Sequence, residues 1–284
     1  MLKKFGVTYF AAVVGAVMLF ASTAMAQSAQ FKARLPADIL KRGHITNLVQ
    51  MPDPPFEYTN DKGEVIGFDI DLANELSAVL DFPIKNQYIA QFAQLVPSMQ
   101  TGRADISVSS IYDLKSRQEQ ILMVDYMLTG MRFLTRVGVN DMKSFEDFCG
   151  KRVVTGNSGV VFLKAFSEET CAPKGLPAID AYGTDLPQQF IELKLGRAIA
   201  SFGGLEQHDF QAALEPGIFK TVGEPISRKH YAIAFHKENM VMAELIRDAL
   251  NELIRTGVYM KLLVKYGFEA SAIPKASINN SLGN

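Results

Sequence analysis

Hydrophobic residues along the chain follow two alternating spacings. Short apolar runs are typical of strands, and longer segments with apolar residues three or four positions apart are typical of helices. On this basis the sequence predicts a strand at 44–50, a strand followed by a helix at 65–80, a strand at 84–90, a helix at 92–102 and a strand at 104–110. Such alternation builds an open, mainly parallel sheet with helices on both faces, an α/β fold.

The end of the last of these strands is a candidate binding edge. In open α/β sheets, ligands bind beyond the carboxyl ends of the strands. Ser109 and Ser110 are predicted to end the strand at 104–110, and Tyr112 and Arg117 follow shortly after them. We therefore expect the segment from Ser109 to Arg117 to contribute to a ligand site.

A short internal repeat indicates two similar lobes. Residues 101–110 (TGRADISVSS) and 195–204 (LGRAIASFGG) share the same order of helix end, glycine, arginine, alanine, apolar strand and a pair of small residues. The Gly-Arg-Ala match alone is also compatible with chance. If the repeat is real, Ser110 and Gly204 are equivalent strand ends, which two lobes could turn toward a shared cleft.

The N-terminus has the three parts of a secretory signal peptide. It begins with MLKK, continues as an apolar run, and reaches a small-x-small motif at Ala24-Met25-Ala26. We predict that residues 1–26 are cleaved before Gln27 and that the mature chain is exported to the periplasm. A retained membrane anchor is the alternative. No later segment approaches the roughly 20 apolar residues of a membrane span.

Charge and motifs favour a small molecule or a protein as the partner. The formal net charge is −1 at pH 7, with acidic and basic residues interspersed, so nothing predicts binding to nucleic acid or to a membrane surface. Four scattered histidines offer no metal-ligand spacing. Walker, G-x-S-x-G and G-x-G-x-x-G motifs are absent from the sequence, so neither a metal, a cofactor nor a common enzyme class is predicted.

The chain has two cysteines, Cys149 and Cys171. In an exported protein, the oxidising environment favours a disulfide between them. Two buried free thiols are the alternative interpretation.

Several segments together carry a family resemblance. The sequence contains PPFEYTNDKGEVIGFDIDLANELSAVL, FAQLVPSMQTGRADISVSSIYDLKSRQEQILMVDYM, FEDFCGKRVVTGNSG, LKLGRA and YAIAFHKEN. This combination resembles the periplasmic solute-binding proteins of polar amino acid ABC importers, the family-3 type, from about His44 to Phe268. The resemblance implies a monomer of two α/β lobes, each with a mixed, mainly parallel sheet flanked by helices, that closes on a ligand.

The resemblance also implies the domain boundaries. Lobe 1 is expected at 27–130 and 231–284, and lobe 2 is inserted at 131–230. Two crossing strands are expected to join the lobes near Gly130 and His230.

Site residues follow from the same resemblance. The family's arginine at the position of Arg117 binds the ligand's α-carboxylate, which suits a guanidinium because it can form two parallel charge-assisted hydrogen bonds. The Ser110 hydroxyl and nearby backbone N–H groups are expected to complete the coordination of that carboxylate. Ser109 and the Phe56 of the P-F-E motif belong to the same expected site. From lobe 2, the TGNSG loop precedes a helix whose free N–H groups suit an anion, with Ser158 as the first candidate hydroxyl.

Asn157 is the second candidate in that loop, which is shorter than the common family form. Three other positions depart from the family pattern. Gly204 stands where amino acid binders carry the aspartate that receives the ligand's α-ammonium, Asp53 replaces an aromatic that covers the ligand, and Tyr112 replaces a small hydroxyl residue. We interpret this as carboxylate recognition that is kept and ammonium recognition that is altered.

A replacement partner for an ammonium group is therefore needed. Asp53 is the first candidate and Glu206 the second, since a buried unpaired charge is costly. The alternative is that Asp53 only stabilises its proline-rich turn through side-chain to backbone hydrogen bonds.

The predicted function is periplasmic delivery of an amino acid or related small carboxylate to an inner-membrane ABC permease. One alternative is an exported dehydratase acting on prephenate-like cyclic acids, for which Asp53, Glu57 and Glu206 are the candidate acids. Another is a chemoreceptor-linked sensor, which would share every residue discussed.

Overall fold

The computed structural model describes residues 28–139 and 142–282. The predicted signal peptide and its cleavage site before Gln27 lie outside the described residues. After a helical turn at 28–32, the described strands are β1 (Ile45–Gln50), β2 (Tyr58–Thr59), β3 (Val65–Ile66), β4 (Ile84–Ile89), β5 (Ser107–Tyr112), β6 (Ile121–Arg136), β7 (Arg152–Thr155), β8 (Asp180–Gly183), β9 (Ala200–Gly204) and β10 (Phe219–His236).

Helices separate most of these strands, as the periodicity predicts. The α-helices are α1 (Ala37–Arg42), α2 (Phe68–Leu80), α3 (Leu95–Gln100), α4 (Lys115–Gln118), α5 (Asn157–Thr170), α6 (Leu186–Lys194), α7 (Leu205–Leu214), α8 (Met240–Thr256) and α9 (Val258–Tyr266). The helix predicted at 92–102 begins with a 3₁₀ turn, Phe92–Gln94, and continues as α3.

The sheet is mixed. Strands β1 and β4 pair in parallel, as do β7 with β8 and β7 with β9. A six-stranded sheet in the order β5-β10-β6-β9-β7-β8 contains the antiparallel pairs, and a parallel bridge between Asn47 and Ile106 connects β1 to the β5 side. Helices lie between successive parallel strands, which is the α/β architecture that the sequence predicts.

Four buried hydrophobic clusters among the described residues divide the chain into two lobes, with two clusters in each lobe. The main core of each lobe is its larger cluster. The larger core is built from residues between 31 and 127 and between 231 and 276, and includes Phe56, Phe68 and Tyr231. The second is built from residues between 133 and 222, and includes Phe133 and Phe202. Since each core is formed by its own part of the chain, the molecule has the two-lobed organisation implied by the resemblance.

Two long antiparallel strands, β6 and β10, run through both lobes. Their pairing is irregular in the stretch that runs from one core to the other, because the register shifts between Val222 and Ile226 and again between Ile226 and Lys229. Gly130 lies in this stretch of β6. A Cβ added there would be 3.1 Å from the Pro225 side chain and 3.2 Å from the Ile226 carbonyl oxygen. Glycine therefore permits the close approach of the two strands.

One strand boundary differs from the prediction. Ser109 and Ser110 were expected to end their strand, but β5 continues to Tyr112 because Ile111 and Tyr112 pair with Ala232 and Tyr231 of β10. This pairing partner is more than a hundred residues away along the chain, so local periodicity does not reveal it. Gly204, in contrast, ends β9 as predicted.

The two cysteines form a disulfide, as predicted. It joins the end of the 3₁₀ turn Phe145–Phe148 to the end of α5 within the second lobe. Cys171 is buried in the core of that lobe, next to Phe148 among others, so the bond links two segments that already share one core.

Candidate functional site

A cavity of about 580 Å³ lies between the two lobes. Its walls come from β-strand ends, loops and helix starts of both. The larger lobe contributes Gln50, Pro52, Asp53, Ala90, Phe92, Ser110, Tyr112, Arg117 and Tyr231, and the second lobe contributes Asp185, Leu186, Pro187 and Gln207. This size and mixture of apolar, aromatic and few polar groups are typical of a small-molecule site.

Arg117 supplies a positive charge to the cavity wall. It lies in α4, where its Nη1 donates a hydrogen bond to the Tyr112 carbonyl oxygen at 2.9 Å, and its guanidinium carbon is 5.3 Å from the centre of the Phe92 ring. Burial lowers its pKa, but an arginine remains protonated at neutral pH. Among the described residues no carboxylate is within ion-pair distance of it, so its remaining donors suit an anion in the cavity.

Asp53 supplies a negative charge to the same cavity. Its carboxylate accepts a hydrogen bond from the Ser110 hydroxyl at 2.7 Å and is 3.4 Å from the amide nitrogen of Gln207 in the opposite lobe. Burial raises its pKa to about 6, against the lowering effect of the Ser110 and Gln207 hydrogen bonds.

The turn that contains Asp53 is held by backbone groups. The Asp53 N–H donates to the Glu57 carbonyl oxygen at 2.7 Å, and the N–H groups of Phe56 and Glu57 donate to the Asp53 carbonyl oxygen. The described hydrogen bonds of the Asp53 side chain go to Ser110 and Gln207 instead. The carboxylate is thus directed at the cavity, while the turn is stabilised by its main chain.

Ser110 connects β5 to Asp53. It has a positive φ of 43°, which is uncommon outside glycine, and its N–H donates to the Asp69 carboxylate at 2.7 Å. Asp69 begins α2 and is fully buried. This contact and the Asp53 hydrogen bond hold Ser110 from both sides, which fixes the hydroxyl at the cavity wall.

Tyr112 lies beside Ser110 on the cavity wall. Its ring stacks on that of Tyr231, with 4.9 Å between centroids and 7° between planes. Burial raises the Tyr112 pKa to about 12, so the phenol remains protonated at neutral pH. The stacked pair gives the cavity an aromatic wall.

Two other predicted site residues are turned away from the cavity. Phe56 is 0% exposed and packs against Phe68, Tyr231 and Phe268 in the larger core. Ser109 is buried, donates to the Glu57 carboxylate at 2.6 Å and accepts from the Gln50 N–H. Both residues pack behind the side chains that line the cavity.

In the second lobe, Gly204 and Asn157 are not among the described residues that line the cavity. Asn157 begins α5 and packs against Gly183 at the end of β8, while the side chain of Ser158 lies outside the described residues. Their predicted contacts with a ligand stay predictions. Gly204 lies directly behind Gln207 and Tyr231.

Glu206, the second candidate for ammonium binding, is 1% exposed and does not line the cavity. Its carboxylate accepts hydrogen bonds from Thr129 of β6 at 2.7 Å and from Ser271 at 3.1 Å, and burial raises its pKa to about 7. It therefore joins the second lobe to the crossing strand and to the C-terminal part of the larger lobe.

Sequence reasoning missed Asp185, Gln207 and Tyr231. Asp185 caps α6, accepting the Gln188 N–H at 2.9 Å, and an aspartate before Leu-Pro is a helix-start signal that places it at a strand-to-helix edge. Gln207 follows Gly204 by three positions, within reach of the repeat already identified. Tyr231 had no local signal, because its role depends on pairing with β5.

The described residues contain no group of three or more His, Cys, Asp or Glu side chains arranged to hold a metal ion. In the same residues, no helix is long and apolar enough to cross a membrane.

Comparisons with known proteins give relatives over most of the chain. It is 29% identical over 228 residues to the histidine-binding periplasmic protein of Escherichia coli K12, covering 75% of this chain and 83% of that protein. It is 24% identical over 253 residues to the arginine-binding protein ArgT of Corynebacterium glutamicum, covering 88% and 83%. Among solved structures, an ancestral arginine-binding protein bound to arginine superposes with a TM-score of 0.68 at 26% identity, covering 79% of this chain and 98% of that one.

The family model of bacterial extracellular solute-binding proteins, family 3, matches residues 45–269. The match includes the second lobe, most of the larger lobe, the strands β6 and β10, and every described residue that lines the cavity. The two-lobed fold predicted from the sequence is the fold of these relatives. The chain therefore belongs to the bacterial extracellular solute-binding proteins, family 3.

Proposed function

We propose that the protein is the periplasmic component of an ABC importer and delivers an α-amino acid, or a closely related amine-bearing carboxylate, to an inner-membrane permease. The observation that carries this proposal is the pairing of charges in one interlobe cavity. Arg117 and Asp53 line the same space, so a ligand with one carboxylate and one ammonium group meets a partner for each. The relatives named above, which are binding proteins for arginine and histidine, support the ligand class.

Arg117 binds the carboxylate, and the Ser110 hydroxyl, next to it in the wall, orients Asp53 toward the ammonium. The geometry of a guanidinium favours a carboxylate over a single-point anion. Asp53 is ionised at neutral pH because its pKa is about 6. Opposite charges at the two ends of the cavity also orient the ligand.

Binding closes the lobes about the crossing strands. Lobe 1 comprises 27–130 and 231–284 and lobe 2 comprises 131–230, with the crossings near Gly130 and His230. A ligand that contacts both lobes binds the closed state more tightly and so shifts the population toward it. The irregular β6 to β10 pairing supports this position for the hinge. The chain acts as a monomer after cleavage before Gln27.

A binding role accounts for the acids better than a catalytic one. Of the three candidate acids for a dehydratase, Glu57 and Glu206 are buried away from the cavity wall and accept hydroxyl hydrogen bonds from Ser109 and Thr129. Asp53 is the one that lines the cavity, and a general acid must reach the substrate.

The test is a ligand screen of the mature protein by thermal shift. Amino acids, opines, and hydroxy or cyclic acids are compared, because a ligand that binds only the folded state raises the melting temperature. We expect stabilisation by one or a few amino acids. Stabilisation by prephenate-like acids alone, with product formation, would favour the dehydratase. Uptake by cells lacking the gene separates an importer from a chemoreceptor-linked sensor.

A further inference from the structure

Gln207 occupies the space that Gly204 leaves empty. Gly204 has φ −58° and ψ 140°, a conformation open to any residue, so its backbone does not require glycine. A Cβ at this position would overlap Oε1 of Gln207 and would lie 3.2 Å from the hydroxyl oxygen of Tyr231. The missing side chain therefore makes room for an amide that arrives from the following helix.

Two oxygens that border this space have acceptor capacity to spare. Oε1 of Gln207 is buried and has no hydrogen-bond partner among the described residues. The Tyr231 hydroxyl is also buried; it interacts as a donor with the Tyr112 hydroxyl, at a separation longer than an ordinary hydrogen bond, so its oxygen remains able to accept. Tyr231 is 1% exposed and its ring is held between Phe56 and Tyr112. Buried acceptors are normally paired, so an amide oxygen with no donor and a phenol oxygen with a free lone pair, on two side chains that line a ligand cavity, mark a place where the ligand provides the donor.

Asp53 completes a set of three acceptors. The amide nitrogen of Gln207 faces the Asp53 carboxylate at 3.4 Å, so the oxygen of the same amide faces the other way, toward Gly204 and Tyr231. All three side chains line the interlobe cavity. One carboxylate and two neutral oxygens therefore lie close together. They lie near position 204, where the second lobe has a glycine and no acid.

We propose that Asp53, Gln207 and Tyr231 together form a site for a primary ammonium group, which makes Gln207 and Tyr231 specificity-determining residues of this protein. The inference rests on the proposed function, in which Asp53 pairs with the ligand's amine. A primary ammonium carries three N–H donors, and an acid, an amide oxygen and a phenol oxygen satisfy all three while adding only one negative charge. A hydroxyl offers one donor and a quaternary ammonium none, so the site discriminates against both.

The test separates the amine from the rest of the ligand. The probe is the L-amino acid that gives the largest melting shift among the twenty, compared with its amine-free analogue, which for arginine is 5-guanidinopentanoic acid. Tyr231→Phe removes one oxygen and keeps the ring, and Gln207→Met removes the amide at similar length. Gln211→Met, on the same helix and paired with Glu215 outside the cavity, is the matched control.

We expect each of the two variants to weaken binding of the amino acid roughly tenfold, the loss of one hydrogen bond to a charged group. Binding of the amine-free analogue and the behaviour of Gln211→Met should be unchanged. The N,N,N-trimethyl form of the amino acid should bind wild type no better than the analogue. In Gly204→Ala the added methyl group displaces the Gln207 amide. This variant should also weaken binding of the amino acid and leave binding of the amine-free analogue unchanged.

If the variants weaken binding of the amino acid and of its analogue equally, these side chains act in lobe closure or packing, and the proposal is overturned. Unchanged amino acid binding in both Tyr231→Phe and Gln207→Met would overturn it as well. A wild-type protein that binds none of the twenty amino acids would instead contradict the proposed function. The two failures are therefore distinguishable.

Discussion

The hydroxyl group of Ser110 donates a hydrogen bond to the carboxylate of Asp53 at 2.7 Å. This hydrogen bond joins β5 to the turn that carries Asp53. Arg117 follows shortly after the end of β5. The segment that carries the positive charge and the turn that carries the negative charge are therefore connected by a single side chain. A change at either residue is expected to affect the other.

Replacing Arg117 tests the carboxylate side. Arg117→Ala should weaken ligand binding by about 2–5 kcal/mol, the range for loss of one partner of a desolvated charge pair. Arg117→Lys should also bind weakly, because an ammonium cannot reproduce the two parallel hydrogen bonds of a guanidinium. Isothermal titration calorimetry measures both.

The control is Arg103→Ala, at an exposed arginine of the same lobe that does not line the cavity. It should bind as wild type. Both alanine variants should retain the wild-type melting temperature to within a few degrees, about 2–4 °C per kcal/mol for a protein of this size. Normal ligand affinity in Arg117→Ala would show that the carboxylate is bound elsewhere.

If Asp53 pairs with the ligand's amine as proposed, amino acid binding should be pH-dependent. Its carboxyl group has a pKa raised to about 6 by burial, and only the ionised form attracts an ammonium. Affinity should therefore be constant above that pH and fall by up to about tenfold per pH unit below it. Titrations between pH 4.5 and pH 8 measure the dependence.

Asp53→Asn should bind the amino acid about tenfold or more weakly at neutral pH and lose this pH dependence. It should leave the amine-free analogue unaffected. Asp61→Asn, at an exposed position of the same lobe, is the matched control. If Asp53→Asn binds the amino acid unchanged and the amine-free analogue binds wild type as well as its parent, no ammonium is recognised.

Stability should rise on mild acidification. Burial raises the pKa of Asp69 to about 7, of Glu206 to about 7 and of Asp125 to about 8. Because the unfolded carboxyl groups titrate near pH 4, the folded state binds more protons throughout the interval from there to pH 8. For these three groups the free energy of unfolding therefore falls as pH increases across this interval, by up to about 1.4 kcal/mol per pH unit for each group. His208 opposes this trend below its ordinary pKa of 6.5, because burial lowers its pKa to about 3, but it is one group against three.

Urea denaturation at pH 5.5 and pH 8 checks the direction, which should be higher stability at pH 5.5. Asp125→Asn should flatten the dependence, since it removes the group with the highest of these pKa values. Glu146 does not interfere, because its hydrogen bond with Lys174 lowers its pKa to about 2, below the interval. Greater stability at pH 8 would contradict the assignment of neutral buried acids.

The Cys149–Cys171 disulfide should contribute to stability but not to binding. The bond closes a loop between residues 22 positions apart, for which chain entropy predicts about 3 kcal/mol. The double variant Cys149→Ser with Cys171→Ser should lose stability of that order in urea denaturation. Ligand affinity should be retained, because neither cysteine lines the cavity.

Mass spectrometry of the exported protein gives the independent check. Alkylation without reductant should modify no cysteine, and reduction should expose two thiols. A protein with two alkylatable thiols before reduction would show that the bond does not form in the cell.

Local patterns in the sequence were sufficient for the order of the elements, and the family resemblance singled out the charged residues of the expected site. The strand and helix order follows from apolar spacing, which depends on neighbours a few positions away. The resemblance gave Arg117 as the expected carboxylate partner and Asp53 as a departure from the family pattern, and both line the cavity. The cysteine pairing followed from the expected compartment and from there being only two cysteines.

The orientation of the remaining site residues was decided by tertiary structure. Phe56 and Ser109 belong to the right motifs but face inward, because the core and Glu57 take their side chains. Tyr231 reaches the cavity because β10 pairs with β5, and Gln207 reaches Asp53 across 154 positions. Contacts between residues that far apart depend on how the two lobes pack together, and no pattern of neighbouring residues encodes that arrangement.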